Sequence, residues 1–347
     1  MAKNDSRTKA FATTAKPQQR NKKSPAGQRR LRQQLIISIF AVIALILLVF
    51  ATLIIGKIVS VNKGKNPDTN PTPSIEFTYV SKDSANVSIG NLLLINDTFK
   101  YELPADLSNM INVYQYQRTA ANDEFTKIGG VPTYTLTYDS ICLNKETLEA
   151  FNKMILDYCN SPDFTSTNDL YLSNLEIAWG GYSEKTRHEY QQDITNIGED
   201  FYDHALGTTL TLKINSPSTP IKESILKNQY AWIYQNAHKY GFIIRYPDSC
   251  TAHTGISKNI RVHLRYVGVE HATYIASNNI CLEEYLELIK TTHTPTNPLV
   301  INGANGKTYE VYYVAHSGNH TSIPVPKDST YTISGDNMNG FVVTVEK

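Results

Sequence analysis

Two of the nine histidines stand in words with strand-like alternation nearby: His204 in YDHALGTTLTLKI and His263 in RVHLRYVGVEHA. A neutral imidazole nitrogen ligates metal ions and an imidazole can carry a proton near neutral pH, but either residue read alone is also an ordinary buried strand or loop histidine. The four cysteines, Cys142, Cys159, Cys250 and Cys281, contain no C-x-x-C pair, so their spacing does not describe a thiol zinc knuckle. Disulfides and buried thiols both stay open for them. No G-x-G-x-x-G or P-loop word occurs, so nucleotide chemistry is not supported.

The elements that must position these histidines interleave. Over residues 144–160, Leu148, Phe151, Met154, Ile155 and Tyr158 recur at three and four residues behind Asn144, which predicts an amphipathic helix with an asparagine cap. Further helices are expected over 183–194, over 221–240 with Gly241 at the C-cap, and after Asn279 with Leu282, Tyr285, Leu286 and Ile289. Strands are expected at 209–214, 242–246 and 261–269. Residues 75–138 hold strand-like IEFTYV, NLLLIN and TYTLTY, and 298–347 read as a chain of β-hairpins broken by NGANG, SGNH and GDNMNG. Short alternating strands between helices argue for an α+β fold rather than a doubly wound sheet.

The 347 residues carry a net charge of only +1, which hides an asymmetry. Residues 1–34 hold ten Lys and Arg against Asp5 alone, so the remainder is acidic. Residues 35–56 are 22 residues without a charge; at about 1.5 Å each they reach roughly 33 Å, the thickness of a bilayer core. The run exceeds a signal peptide's apolar region, and no small-x-small site follows it before Lys57. A single transmembrane helix is expected, with the basic tail in the cytoplasm and the body outside. The tail then orients the protein and touches anionic lipid; no nucleic-acid partner is expected. Residues 57–74, rich in Asn, Pro, Lys, Ser and Thr, read as a linker.

The run WIYQNAHKYGFIIRYP at 232–247, Thr254-Gly255 and HLRYVGVEHATYI at 263–275 together resemble the VanY-type D-alanyl-D-alanine carboxypeptidases, zinc peptidases that trim cell-wall stem peptides. The likeness extends over about 143–289. It implies a zinc D,D-peptidase-like domain, an antiparallel sheet with helices, at 139–292, between the small β-rich N-terminal region at 75–138 and the β-hairpin extension at 298–347. The family holds zinc with a His and an Asp seven residues later, in S-x-H-x-x-G-x-A-x-D, and with a second His in E-P-W-H-x-R-Y-V-G. The Glu of that second word is the general base, and an Arg in S-G-Y-R-S receives the substrate carboxylate.

On that pattern His204 and His263 match the two metal histidines and Gly207 matches the glycine, but Thr211 stands at the Asp ligand position. Ile260 stands at the general-base position, so no catalytic residue is intact. Gly181 and Tyr182 keep the substrate word while Ser183 stands at its Arg position. A general base is worth about 100 to 10,000-fold, and a charge-assisted contact to a carboxylate about 1.5 to 3 kcal/mol. Neighbours that would have to rescue these functions are Asp203 or His253 as ligand and Glu270 as base. The expectation is a pseudoenzyme at the cell envelope with no cofactor or weakly bound zinc. Its partners would be the cell membrane and a peptidoglycan stem peptide or an envelope protein. The alternatives are an active zinc D,D-carboxypeptidase and an envelope interaction module that uses the C-terminal β region.

Overall fold

The computed structural model describes residues 75–165, 172, 174–190, 192–193, 199–214, 230–256 and 262–347, all within the unit Ile75–Lys347. The expected transmembrane helix at 35–56, the tail before it and the linker after it lie outside the described residues. Among the described residues no helix is long and apolar enough to cross a membrane.

In chain order the elements that build and flank the site are β1 (Phe77–Asp83), β2 (Met110–Asn112), β3 (Thr135–Leu136), β4 (Cys142–Asn144), α1 (Lys145–Cys159), β5 (Leu175–Trp179), β6 (Thr209–Ile214), α2 (Ala231–Asn236), β7 (Phe242–Ile244), β8 (Val262–Tyr266), α3 (Val269–Asn278) and α4 (Leu282–Thr292). The chain ends in β9 (Leu299–Asn302), β10 (Thr308–Ala315), β11 (His320–Pro326), β12 (Tyr331–Gly335) and β13 (Gly340–Glu346).

Period-2 alternation sorts the central sheet, whose order is β3-β5-β6-β8-β7. Leu210 and Leu212 of β6 and Val262 and Leu264 of β8 turn to one face, where they pack on Leu148, Phe151, Met154, Ile155 and Tyr158 of α1. The other face is buried too, yet it carries Thr209, Thr211, His263 and Arg265. Asn144 caps α1 as its type predicts, its side chain accepting from the Thr147 N–H at 2.8 Å. Gly241 closes the helical stretch before β7 at φ 85°, a backbone state that favours glycine.

Several expectations need correction. The sheet is not wholly antiparallel, because its edge strand β3, all that TYTLTY contributes, runs parallel to β5. NLLLIN is no strand: Leu92, Leu93, Leu94 and Ile95 are buried, but side chains and loop backbone hold the segment, with the Leu92 N–H donating to Ser334 Oγ at 3.0 Å and the Leu94 N–H to the Asp336 carbonyl at 2.9 Å. The strand expected over 261–269 stops at Tyr266. Gly268, at φ 96°, breaks the ladder, and Val269 opens α3, whose Ala272 and Ile275 join the core under α4. The helix expected over 183–194 forms turns at 184–188, with helical residues at 189–190 and 192–193. Of the helix expected over 221–240, the described part is α2 and the 3-10 turn Ala237–Tyr240, while 221–229 lie outside the described residues. The C-terminal hairpins form a sheet of order β9-β10-β13-β12, but β11 leaves it to pair with β1 along seven residues of each strand.

The C-terminal sheet is tied to α3 and α4 through His271, which is buried. Its Nδ1 lies 2.6 Å from the Tyr285 hydroxyl and its Nε2 3.1 Å from Thr344 Oγ1. Burial pushes this imidazole below its ordinary value of 6.5, against the opposing pull of Glu270. The unfolded chain therefore takes up a proton that the folded protein refuses. Stability from this site is full above about pH 6.5 and declines as the pH falls toward the folded value. The expected outcome is a melting temperature that drops between pH 7 and pH 5, with a smaller drop in His271→Gln, as read by circular dichroism.

Candidate functional site

β6 and β8 are antiparallel neighbours, and Thr211 stands directly opposite His263 in their register. Directly paired residues send their side chains to the same face, so the two meet: Thr211 Oγ1 is 3.1 Å from His263 Nδ1. His204 arrives from the 3-10 segment Glu199–Leu206 that precedes β6. Its Nε2 lies 2.9 Å from the same Thr211 oxygen, and the two imidazole centroids are 5.4 Å apart. The turn between them is Gly207, at φ 66°, whose missing Cβ would collide with Met110. His204, Thr211 and His263 are all buried.

A threonine hydroxyl donates one hydrogen bond and accepts two, so at least one of the two imidazoles donates its N–H to the Thr211 oxygen. This arrangement contains no carboxylate. It does not fit a catalytic zinc, which takes three protein ligands with lone pairs toward the metal and, in this family, one carboxylate among them. Each neighbour that would have to supply a missing function is engaged elsewhere. Asp203 Oδ2 lies 2.6 Å from Arg245 Nε and 2.9 Å from a terminal nitrogen of Arg265. His253 Nε2 lies 3.2 Å from Glu284. Glu270 lies 3.4 Å from His271. Ile260 lies outside the described residues.

The substrate word sits beside this group. Gly181 exchanges backbone hydrogen bonds with Cys142 and packs against Gly207, whose Cα a Cβ on Gly181 would approach to 2.9 Å. Tyr182 is buried and donates to Asp193 Oδ2 at 2.9 Å; burial, reinforced by that carboxylate, pushes its phenol up. Ser183, half-buried, bonds Thr186 Oγ1 through its own N–H at 2.9 Å. A cavity of about 360 Å³ opens here between Tyr138, Trp179, Gly181, Tyr182, Glu189 and Asp193. Its described lining holds two carboxylates, Glu189 and Asp193, and neither Lys nor Arg.

The largest charged feature was legible only in part. Asp203, Arg245, Arg265 and Glu283 form one buried cluster in which two carboxylates balance two guanidiniums, Arg245 gripping Glu283 at 2.7 and 3.0 Å. Burial opposes the Asp203 charge, but the two guanidiniums, Arg245 foremost, outweigh it and hold the carboxyl below the usual range. Arg265 also donates to the carbonyls of Asn91 and Leu93 at 3.1 and 3.2 Å, which pins the NLLLIN segment over the sheet. In the sequence, Arg265 belongs to the HLRYVG word, but nothing marks Arg245 or Glu283 as its distant companions. Removing one member of a buried pair leaves an uncompensated charge, at a cost of about 3–5 kcal/mol. Asp203→Ala should lose that much in urea denaturation, with or without a chelator present, since the residue is a counter-ion and not a metal ligand.

Residues 181–269, from the substrate word through β8, match the family model VanY, D-alanyl-D-alanine carboxypeptidase. A D-alanyl-D-alanine carboxypeptidase of Enterococcus faecium is 30% identical over 294 residues, covering 81% of this chain and 86% of the relative. One from Enterococcus faecalis is 42% identical over 88 residues, 25% of this chain and 31% of the relative. Among solved structures, the vancomycin-resistance D,D-dipeptidase VanXYg in complex with a D-Ala-D-Ala phosphinate analogue superposes with a TM-score of 0.58 at 22% identity, covering 78% of this chain and all of that one. This is the α+β fold of the zinc D,D-peptidases. With a relative matched across most of both lengths and the family's central words carried on β6 and β8, the chain belongs to the VanY-type D-alanyl-D-alanine carboxypeptidase family.

Proposed function

We propose that this chain is a member of its family that has kept the peptidase fold and lost the hydrolysis, and that it acts at the cell envelope by binding a peptidoglycan stem peptide or a partner protein. The observation that carries this reading is the Thr211 hydroxyl, hydrogen-bonded to both His204 and His263 where the family has a zinc-ligating carboxylate. Thr211 and Ser183 each replace a charged group with a neutral hydroxyl, and Ile260 replaces the base with a hydrocarbon. The three losses fall on metal affinity, substrate anchoring and proton transfer, successive requirements of one reaction. The relatives' description as D-alanyl-D-alanine carboxypeptidases suggests which peptide end the ancestral cleft received.

The fragment Ile75–Lys347 is expected to release no D-alanine from a D-Ala-D-Ala-terminated peptide, with or without zinc, at a limit at least about 100-fold below an intact relative. The triple variant Thr211→Asp, Ile260→Glu, Ser183→Arg should gain zinc binding that His204→Ala abolishes, while Thr211→Asp alone should not hydrolyse the peptide. Zinc-dependent release of D-alanine by the unmodified protein, lost in His204→Ala, would overturn the reading and favour the active enzyme.

The envelope location rests on residues 35–56 as an uncharged span and on the ten cations before it. Protease added to intact spheroplasts should digest the region after Lys57 and spare the basic tail. A protected body would reverse the orientation.

A further inference from the structure

We propose that Cys250, Cys281, Glu284 and His253 form a site for a thiophilic divalent cation, with zinc as its natural occupant, separate from the His204–Thr211–His263 group. Cys250 ends the 3-10 turn Asp248–Cys250 and leads into the helical turn Thr251–Thr254, which carries His253; Cys281 caps α4, whose first turn carries Glu284. Each pair is thus spaced three residues apart on a helical turn, C-x2-H on one side and C-x2-E on the other, so that both members of a pair face the same way.

The donor atoms of Cys250, Cys281 and Glu284 lie within 4.8 Å of one another. Both thiols point at one carboxylate oxygen, Glu284 Oε2, from 3.5 and 3.3 Å, and His253 Nε2 stands 3.2 Å from the other oxygen. Zinc bonds of about 2.3 Å to sulfur and 2.0–2.1 Å to nitrogen or oxygen place tetrahedral ligands roughly 3.3–3.8 Å apart. Cys250, Cys281 and Glu284 already lie close to that spacing, and His253, which stands outside the 4.8 Å group, completes the set by swinging toward the two thiols.

Access and chemistry agree with this. The two cysteines are buried, whereas the side chains of Glu284 and His253 are 32% and 51% exposed. His253 also lines a cavity of about 290 Å³, so an ion can reach the buried thiols from the side of the two exposed donors. Burial pushes both thiols up, and a carboxylate beside them discourages thiolates. A divalent cation reverses that balance: it takes the place of the two S–H protons, which leave to solvent, and is held by two thiolates, a carboxylate and a neutral imidazole. Capping α4 does not by itself require a thiol, since a hydroxyl or carboxylate at position 281 would serve the same backbone N–H groups.

The test uses the full-length chain, purified under reduction and titrated with cobalt(II) as a spectroscopic probe. The expected result is one equivalent bound with a thiolate-to-cobalt charge-transfer band and release of two protons per ion at neutral pH. The band should vanish in Cys250→Ser and in Cys281→Ser, weaken in His253→Ala and Glu284→Gln, and persist in the double variant His204→Ala, His263→Ala, with folding of each checked by circular dichroism. No charge-transfer band in the folded, reduced protein would overturn the site, as would a band that survives Cys250→Ser. Protein purified without reductant but with zinc should retain all four thiols; a Cys250–Cys281 disulfide, two thiols fewer and two hydrogens lighter by mass, would equally overturn it.

Discussion

Asp203 sits without solvent exposure between two guanidiniums, and almost every part of the site is fixed by what that carboxylate requires. A buried charge is tolerated only where partners of opposite sign surround it at hydrogen-bond distance. Arg245 follows β7, Arg265 lies on β8, and Glu283, the second acid of the cluster, opens α4. Asp203 itself belongs to the 3-10 segment that delivers His204. Four elements distant in sequence are therefore locked to one point, and Arg265 extends the lock to the backbone at Asn91 and Leu93.

That constraint explains how the site keeps its shape without a complete ligand set. In many metal sites the ion supplies the free energy that holds loops together. Here the ion cluster anchors the segment bearing His204, and the Thr211 hydroxyl satisfies a nitrogen of each imidazole with no net charge. A carboxylate at position 211 would place an anion in the same pocket and need a cation to balance it; a threonine does not. A threonine at position 211 and the integrity of the fold are thus compatible.

Much of this was legible where one short-range rule decides. Leu148, Phe151 and Met154 announce α1, Asn144 its cap and Gly241 a turn, because each acts within a few residues. The facing of Thr211 follows from the alternation of Leu210 and Leu212, and its meeting with His263 from the adjacency of β6 and β8 in one sheet. Where tertiary contacts decide, the sequence misled. Val267 and Val269 continue a strand pattern that Gly268 ends, and the hydrophobic run Leu92–Ile95 is buried by Arg265 and Ser334 rather than paired in a sheet. β1 and β11 pair across some 240 residues, and Cys250 and Cys281 meet across the length of α3. No local spacing carries such information.

The central claim is that Thr211, and not a metal, joins His204 to His263. Crystals of the protein grown with zinc, measured on both sides of the zinc absorption edge, test it at the site itself. The account predicts no anomalous peak between the two imidazoles and a Thr211 side chain within hydrogen-bond distance of both. A full-occupancy peak at ligand distance from His204 Nε2 and a ring nitrogen of His263 would contradict it.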